Sequence, residues 1–152
     1  MVDRMSDANR RVKDVMIRDV VTIDSGATLL DVANKMRDVN IGMLPVIEGG
    51  AVRGIVTDRD LVIRAMTRDV RPSEIRVDEC LSEPPRCAEP DWPVEDAMDE
   101  MARQHVGRLP VVDNSGAVIG VVTLSSLALR SAKREETLDA AQEVARRSAR
   151  SA

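Results

Sequence analysis

The sequence predicts an α+β fold made of two β-α-β-β-α repeats that pack with pseudo-twofold symmetry. The first observation is an internal repeat. The motif Gly-x-Leu-Pro-Val occurs at 42–46 and at 107–111, and Gly-(Ile/Val)-Val-Thr occurs at 54–57 and at 120–123. The second observation is that each repeat has a helical pattern followed by two short apolar runs around a turn. One repeat is too small to bury its helices alone, so the two are expected to share a core. Clefts between such halves are frequent ligand sites.

Composition narrows the class of protein. The chain has 152 residues, of which 43% are hydrophobic, with one Trp and neither Phe nor Tyr, so its core is expected to be aliphatic. A net charge of −4 argues against nucleic acid as the main partner, because phosphate backbones require a basic face. The two cysteines make no disulfide framework. No apolar run is long enough for a membrane span, and the polar start is unlike a signal peptide, so a cytoplasmic protein is expected.

The repeats divide the chain into four parts. Residues 1–11 are polar and are expected to form a flexible N-terminus. The first repeat covers 12–70 and the second covers 71–130. Residues 131–152 are rich in Ala, Arg and Glu and lack Gly and Pro, which predicts a helical C-terminal extension, with a solvated tail as the alternative.

In the first repeat, a strand is expected near 20–23. Thr28 and Asp31 are spaced as a capping box for a helix over 29–39. Strands at 44–47 and 51–56 then form a hairpin. The buried face of the first helix is expected to comprise Leu29, Val32, Ala33, Met36 and Val39. A second helix, over 58–66, has Leu61, Val62 and Ala65 at core spacing.

The second repeat follows the same order. Pro84 and Pro85 require an extended segment. Asp91 is expected to cap a helix over 93–105, with Val94, Ala97, Met98 and Met101 facing inward. Strands at 109–112 and 117–122 form the hairpin, and a last helix begins after Thr123.

The stretch of greatest functional interest is the turn from Thr57 to Asp60. An apolar strand delivers a hydroxyl and then a carboxylate to a helix start, where free N–H groups attract a phosphate and a carboxylate can bind a sugar diol. The same Thr-x-x-Asp spacing is also that of a capping box, which needs no ligand. The residues alone leave both interpretations open.

With both motifs placed, the chain resembles a tandem pair of CBS domains, also called a Bateman module, over about residues 12–130. The likeness is carried by Gly-x-Leu-Pro-Val in each repeat, by Gly-Ile-Val-Thr-x-x-Asp-Leu at 54–61, and by Asp-Val-Met at 14–16. It is similar to short stand-alone bacterial CBS proteins. The resemblance implies a regulatory module that binds AMP, ADP, ATP or S-adenosylmethionine, forms a homodimer and signals to an effector protein. It implies no catalytic residue, metal or required cofactor.

In this family the Asp of the Thr-x-x-Asp turn binds the ribose hydroxyls, the hydroxyl residue binds phosphate, and the base lies against the segment that opens the partner repeat. Carried onto this chain, the resemblance implies a first cleft of Gly42, Met43, Pro45, Thr57, Arg59, Asp60, Cys80, Glu83 and Pro85.

The second cleft departs from the family pattern, because Ser126 stands where Asp60 stands in the first repeat. A hydroxyl is a poorer partner for a ribose diol than a carboxylate, so weaker binding is expected there. The residues implied for this cleft are Val15, Arg18, Val20, Arg108, Thr123, Ser125 and Ser126.

Three other functions remain as alternatives: a ligand-free scaffold with capped clefts, an enzyme with an unrecognised site, and a nucleic-acid accessory using the arginines of 146–150. The single histidine and the two separated cysteines speak against catalysis and against a metal site.

Overall fold

The computed structural model describes residues 10–130 and 134–150, so the predicted flexible N-terminus lies almost wholly outside the described residues. The chain forms two compact units, each of mixed helix and strand, which confirms the predicted α+β class. The repeat-1 unit comprises Val21–Arg86 and Asn114–Val118. The repeat-2 unit comprises the residues up to Val20, the segment Cys87–Asp113 and the residues from Ile119 on. Each unit therefore includes the segment that opens the other repeat in sequence.

The repeat-1 unit is built on a three-stranded sheet in the order β1-β2-β3. Strand β1 is parallel to β2, and β2 pairs with β3 as an antiparallel hairpin. Its regular elements are β1 (Ile23–Asp24), α2 (Leu29–Val39), β2 (Met43–Glu48), β3 (Ala51–Thr57) and α3 (Asp58–Asp60). The helical path then continues as a π-helical turn, Leu61–Ala65, and a 3-10 turn, Met66–Arg68. Shorter 3-10 turns follow at Pro72–Glu74 and Val77–Glu79.

The repeat-2 unit repeats this plan with a two-stranded hairpin. A short N-terminal helix, α1, lies in the same unit. The elements are α1 (Val12–Val15), α4 (Val94–Gln104), β4 (Arg108–Val112), β5 (Val118–Thr123), α5 (Leu124–Arg130) and α6 (Arg134–Arg150). Helix α6 packs along α4 and α5.

Each unit has an aliphatic core in which one helix face covers the hairpin. In the repeat-1 unit, Leu29, Val32 and Met36 of α2 are buried, and the Thr28–Asp31 capping box is present. In the repeat-2 unit, all four α4 residues expected to face inward are buried: Val94, Ala97, Met98 and Met101.

Three local expectations were wrong. Val39 is 43% exposed, because α2 ends there and Asn40 turns the chain into the left-handed region. Val62 is 57% exposed, because the π-helical turn is wider than the α-helix from which the core spacing was inferred. Asp91 does not cap α4: Pro93 is the N-cap residue and makes no side-chain cap bond, while the Asp91 carboxylate accepts a bond from Lys13.

A short segment of the other repeat lies against the second strand of each hairpin. In the repeat-1 unit, Ser82 and Ile55 exchange backbone hydrogen bonds of 3.0 and 3.4 Å. In the repeat-2 unit, Ile17 and Val121 exchange two bonds of 2.8 Å. Ile17 and Ser82 are equivalent under the 65-residue repeat, so the exchange occurs in the same way in both units.

Glycine makes this close approach possible in the repeat-1 unit. An ideal Cβ placed on Gly54 would lie 3.0 Å from Leu81 Cδ1 and 3.2 Å from the Ser82 carbonyl oxygen. Residues 80–85 of the second repeat, which we call the exchanged segment, can therefore pack directly on the β3 backbone only because no side chain intervenes. The same packing brings residues 80–85 into the unit that carries the Thr57–Asp60 turn.

Candidate functional site

The Thr57–Asp60 turn is a complete capping box. Thr57 has extended backbone angles at the end of β3, and its Oγ1 accepts a bond of 3.1 Å from the Asp60 N–H. In return, Asp60 Oδ2 accepts bonds of 2.9 Å from both the Thr57 N–H and the Thr57 hydroxyl. Asp60 is only 8% exposed. The capping interpretation of this motif is therefore confirmed, and the cap fixes the carboxylate in one orientation.

The second carboxylate oxygen of Asp60 has a different neighbour. Asp60 Oδ1 lies 3.3 Å from Arg64 Nε, one helical turn further along the chain. The same guanidinium donates a 2.6 Å bond from Nη1 to the Leu81 carbonyl oxygen. Arg64 thus connects the capping carboxylate to the segment exchanged from the second repeat. Sequence reasoning missed this residue, although an Arg four positions after a helical Asp is a recognisable pairing signal.

Gly42 and Met43 lie beside this turn. The Gly42 carbonyl accepts a 3.0 Å bond from the Asp58 N–H, and Met43 is paired with Thr57 in the sheet register. An ideal Cβ on Gly42 would lie 2.8 Å from Asp58 Oδ2, so a larger residue there would displace the exposed Asp58 side chain. Arg59 is exposed. Pro45, opposite Ile55 in the sheet, is buried.

The remaining first-cleft residues lie on the exchanged segment. Cys80 is fully buried within the aliphatic core, and this burial raises the pKa of its thiol. Pro85 is half-buried. Glu83 is exposed and its carboxylate lies 3.4 Å from Arg53 Nε. Arg53 Nη1 also lies 2.8 Å from Glu48, and this nearby carboxylate raises the pKa of Arg53.

The structure therefore brings Gly42, Met43, Thr57 and Asp60 together at one end of the hairpin. Bonds from Arg64 and from β3 connect this cluster to the start of the exchanged segment at Leu81 and Ser82.

The corresponding turn of the repeat-2 unit keeps the cap without the charge. The Ser126 N–H donates a 2.9 Å bond to Thr123 Oγ1, and the Thr123 N–H donates a 3.0 Å bond to Ser126 Oγ. The Ser126 hydroxyl donates to the Thr123 carbonyl at 2.9 Å. Ser126 is 6% exposed, while Ser125 and Arg108 are exposed. The serine reproduces the capping geometry and offers no anionic acceptor.

The opposing segment of this unit contains Val15, Arg18 and Val20, which match Cys80, Glu83 and Pro85 under the repeat. Val15 is buried like Cys80, and Val20 is half-buried like Pro85. Arg18 is exposed and donates a 3.4 Å bond to the Lys13 carbonyl. A basic residue therefore stands here where the repeat-1 unit has an acidic one.

Residues 10–130 and 134–150 contain neither a metal-binding cluster nor a membrane-spanning helix. In these ranges, no group of three or more His, Cys, Asp or Glu side chains is placed to hold a metal ion. No helix in the same ranges is long and apolar enough to cross a bilayer.

Comparisons of sequence and of structure both find proteins that contain CBS domains. The chain is 35% identical over 124 residues to the CBS domain-containing protein YhcV of Bacillus subtilis, covering 82% of this chain and 87% of the relative. It is 31% identical to an inosine-5'-monophosphate dehydrogenase of Korarchaeum cryptofilum, covering 89% of this chain and only 27% of that enzyme. Among solved structures, it is similar to the CBS domain pair of protein MJ0100 in complex with 5'-methylthioadenosine and S-adenosyl-L-methionine. The identity is 25% and the TM-score 0.69, covering 79% of this chain and 94% of that one.

The family model of the CBS domain matches the chain twice, at residues 12–67 and 77–133. These ranges contain the paired hairpins and the two Thr-initiated turns described above. The chain therefore belongs to the CBS domain family and contains a tandem pair of these domains.

Proposed function

We propose that this CBS pair is a regulatory ligand-sensing module. It binds an adenosine nucleotide or S-adenosylmethionine in the repeat-1 unit and signals to a partner protein. The observation that carries the proposal is the Asp60 carboxylate, which the Thr57 cap holds in a fixed orientation beside the exchanged segment. A fixed acceptor loses little conformational freedom on binding, which favours affinity.

The chemistry of the turn suits a ribose. An ionised carboxylate accepts strong hydrogen bonds, and a cis-diol provides two donors at neighbouring positions. The exposed guanidinium of Arg59 is available to a phosphate group at the surface of the turn. The segment from Cys80 to Pro85 provides the opposite wall, with the half-buried Pro85 as an apolar surface for the base.

A related structure supports the choice of ligand class. The CBS pair of MJ0100 is described in complex with 5'-methylthioadenosine and S-adenosyl-L-methionine, both of which contain a ribose diol. For the repeat-2 unit we propose weaker binding, because Ser126 supplies a neutral hydroxyl where Asp60 supplies a carboxylate.

The test is thermal unfolding of the wild type with AMP, ADP, ATP and S-adenosylmethionine in turn. A ligand present at a hundred times its Kd stabilises the folded protein by about 2.7 kcal/mol, which raises Tm by several degrees. The rise should disappear in Asp60→Ala. A matched control is Asp31→Ala, which removes the acidic member of the Thr28 capping box and should keep the ligand-dependent rise.

The alternative is a scaffold whose turns are capped and bind no ligand. One observation favours it: both Asp60 oxygens already have partners within the protein, Thr57 on Oδ2 and Arg64 on Oδ1. On this alternative no nucleotide changes Tm, and Asp60→Ala reduces stability alone.

We further propose that the chain forms a homodimer through the repeat-1 unit. An apolar groove of about 650 Å³ lies between α2 and residues 61–72, and Met66 beside it is 76% exposed. In the repeat-2 unit, helix α4, the counterpart of α2, packs against helix α6. Asp69 and Arg71 line the groove, and opposite charges on one patch suit a two-fold contact between identical surfaces. Light scattering of the wild type and of Met66→Glu tests this: a wild-type dimer that becomes a monomer in the variant is expected.

A further inference from the structure

We propose that Arg64 is an internal competitor of the ligand for Asp60, and that its displacement releases the carbonyl of Leu81. Ligand binding would then weaken the contact between Arg64 and Leu81 that fixes the exchanged segment. This inference rests on the proposed function, since it concerns the same carboxylate. It adds a positioning residue that the motif itself does not contain.

The first step is that the two carboxylate oxygens of Asp60 have different partners. Oδ2 accepts both bonds of the cap and keeps the carboxylate in place. Oδ1 is the oxygen left for a ligand, and Arg64 Nε lies 3.3 Å from it. The side chain of Asp60 is 11% exposed and that of Arg64 is 44% exposed. A carboxylate oxygen can accept two bonds, but so little of Asp60 is exposed that a ribose hydroxyl reaching Oδ1 is expected to displace the guanidinium beside it.

The second step is the other end of Arg64. Its Nη1 donates a 2.6 Å bond to the carbonyl of Leu81, a residue that is 8% exposed and packs on Gly54. The π-helical turn Leu61–Ala65 presents Arg64 to both groups at once, and such turns are frequent at functional sites. Moving Arg64 away from Asp60 alters the geometry of its bond to Leu81, so the two contacts are linked.

The third step is a matched control within the same helical path. Arg68, four residues after Arg64, holds the residue just before the exchanged segment, because its Nη2 donates a 3.2 Å bond to the Glu79 carbonyl. Its Nη1 lies 3.2 Å from the Glu79 carboxylate. Replacing Arg68 thus loosens the same segment without relieving the competition at Asp60.

The test measures the affinity for 5'-methylthioadenosine by titration calorimetry. This probe has a ribose diol and no phosphate, so the lost charge of Arg64 acts on no anionic group of the ligand. Arg64→Gln should bind more tightly than the wild type, on the order of threefold for a partly exposed ion pair that no longer competes. Arg68→Gln should bind like the wild type. A merely structural role for Arg64 would weaken binding or leave it unchanged.

A second readout tests the contact with Leu81 without ligand. The Ser82 N–H donates to the Ile55 carbonyl at 3.0 Å, and its hydrogen exchange should be faster in Arg64→Gln than in the wild type. Unchanged exchange would overturn the link to the segment.

The binding outcomes separate the two proposals. If the wild type binds and Arg64→Gln binds equally or more weakly, the competition is disproved and the proposed function stands. If only Arg64→Gln binds, the competition is supported. If neither protein binds 5'-methylthioadenosine, removing Arg64 has freed no site for a ribose diol and the competition fails; the proposed function is then decided by thermal unfolding with AMP, ADP, ATP and S-adenosylmethionine.

Discussion

Ser126 occupies the same place in the repeat-2 unit as Asp60 in the repeat-1 unit, and each exchanges hydrogen bonds with the threonine three residues before it. The two turns share their geometry and differ in charge. Comparing Ser126 with Asp60 therefore separates two roles. Both residues cap a helix, whereas only the carboxylate is suited to bind a ribose diol.

The first prediction is that Ser126→Asp creates a second binding site. The Thr123 N–H that now bonds to Ser126 Oγ at 3.0 Å would bond to the new carboxylate, as Thr57 does with Asp60. Calorimetry with the nucleotide identified by thermal unfolding should show about twice the stoichiometry of the wild type. Ser125→Asp, next to it on the exposed side of the turn, is the control and should add no site. Unchanged stoichiometry in both variants would show that a carboxylate at this turn is insufficient.

The second prediction compares the two capping boxes of the repeat-1 unit. Thr28 Oγ1 accepts from the Asp31 N–H at 3.2 Å, and Thr57 Oγ1 accepts from the Asp60 N–H at 3.1 Å. Thr28→Ala and Thr57→Ala should each lower the free energy of unfolding by about 1 kcal/mol in urea titrations. Only Thr57→Ala should also weaken nucleotide binding. A loss of binding in both variants would mean that stability alone accounts for the effect.

Much of this arrangement follows from sequence because its causes are local. The capping boxes at Thr28 and Thr57 need only the spacing of a hydroxyl and a carboxylate, and the buried face of α4 needs only a 3.6-residue period. The resemblance to the CBS family supplied the ligand class, which neither pattern contains. The CBS domain model matches both repeats, which confirms that the chain belongs to this family.

What the sequence could not supply depends on tertiary context. The exposure of Val62 follows from a π-helical turn that no residue pattern indicates. The failure of Asp91 to cap α4 reflects its bond to Lys13, a residue 78 positions away. The contact of Arg64 with Leu81 spans 17 positions and arises only when the exchanged segment packs on β3.

The third prediction concerns acid stability. The bonds from Thr28, first of all from its backbone N–H, hold the pKa of Asp31 below its usual value. A carboxyl with a lowered folded-state pKa stabilises the protein above its unfolded-state pKa of about 4. That contribution is lost as the pH falls through the lower, folded-state pKa. The free energies of unfolding of the wild type and Asp31→Asn should therefore differ at pH 6 and converge at the acid end. A difference that persists after protonation would assign the effect to hydrogen-bond geometry.

The fourth prediction concerns the thiols. Burial raises the pKa of Cys87 to about 11, and Cys80 is fully buried. The thiolate is the reactive form, so neither cysteine should react readily at pH 8 with Ellman's reagent while the protein is folded. Both should react at once in 6 M guanidinium chloride, a concentration on the order of that needed to unfold even very stable domains. Rapid modification of Cys87 in the folded protein would show that its segment opens frequently.

The last prediction tests the packing that brings the exchanged segment to the site. Gly54→Ala would place a Cβ 3.0 Å from Leu81 Cδ1, 3.1 Å from Leu81 Cβ and 3.2 Å from the Ser82 carbonyl oxygen. The leucine tip can move, whereas the Ser82 carbonyl is part of the backbone, so a loss of about 1–3 kcal/mol in the free energy of unfolding is expected. Gly107→Ala is the matched control, because its nearest neighbour, Leu124 Cδ1, would lie 3.8 Å away in ordinary contact.

If the segment serves the site as well as the fold, Gly54→Ala should also weaken nucleotide binding under conditions where the variant is fully folded. Gly107→Ala should leave both quantities nearly unchanged. Equal effects of the two substitutions would mean that the close contact between Gly54 and Leu81 has no special role.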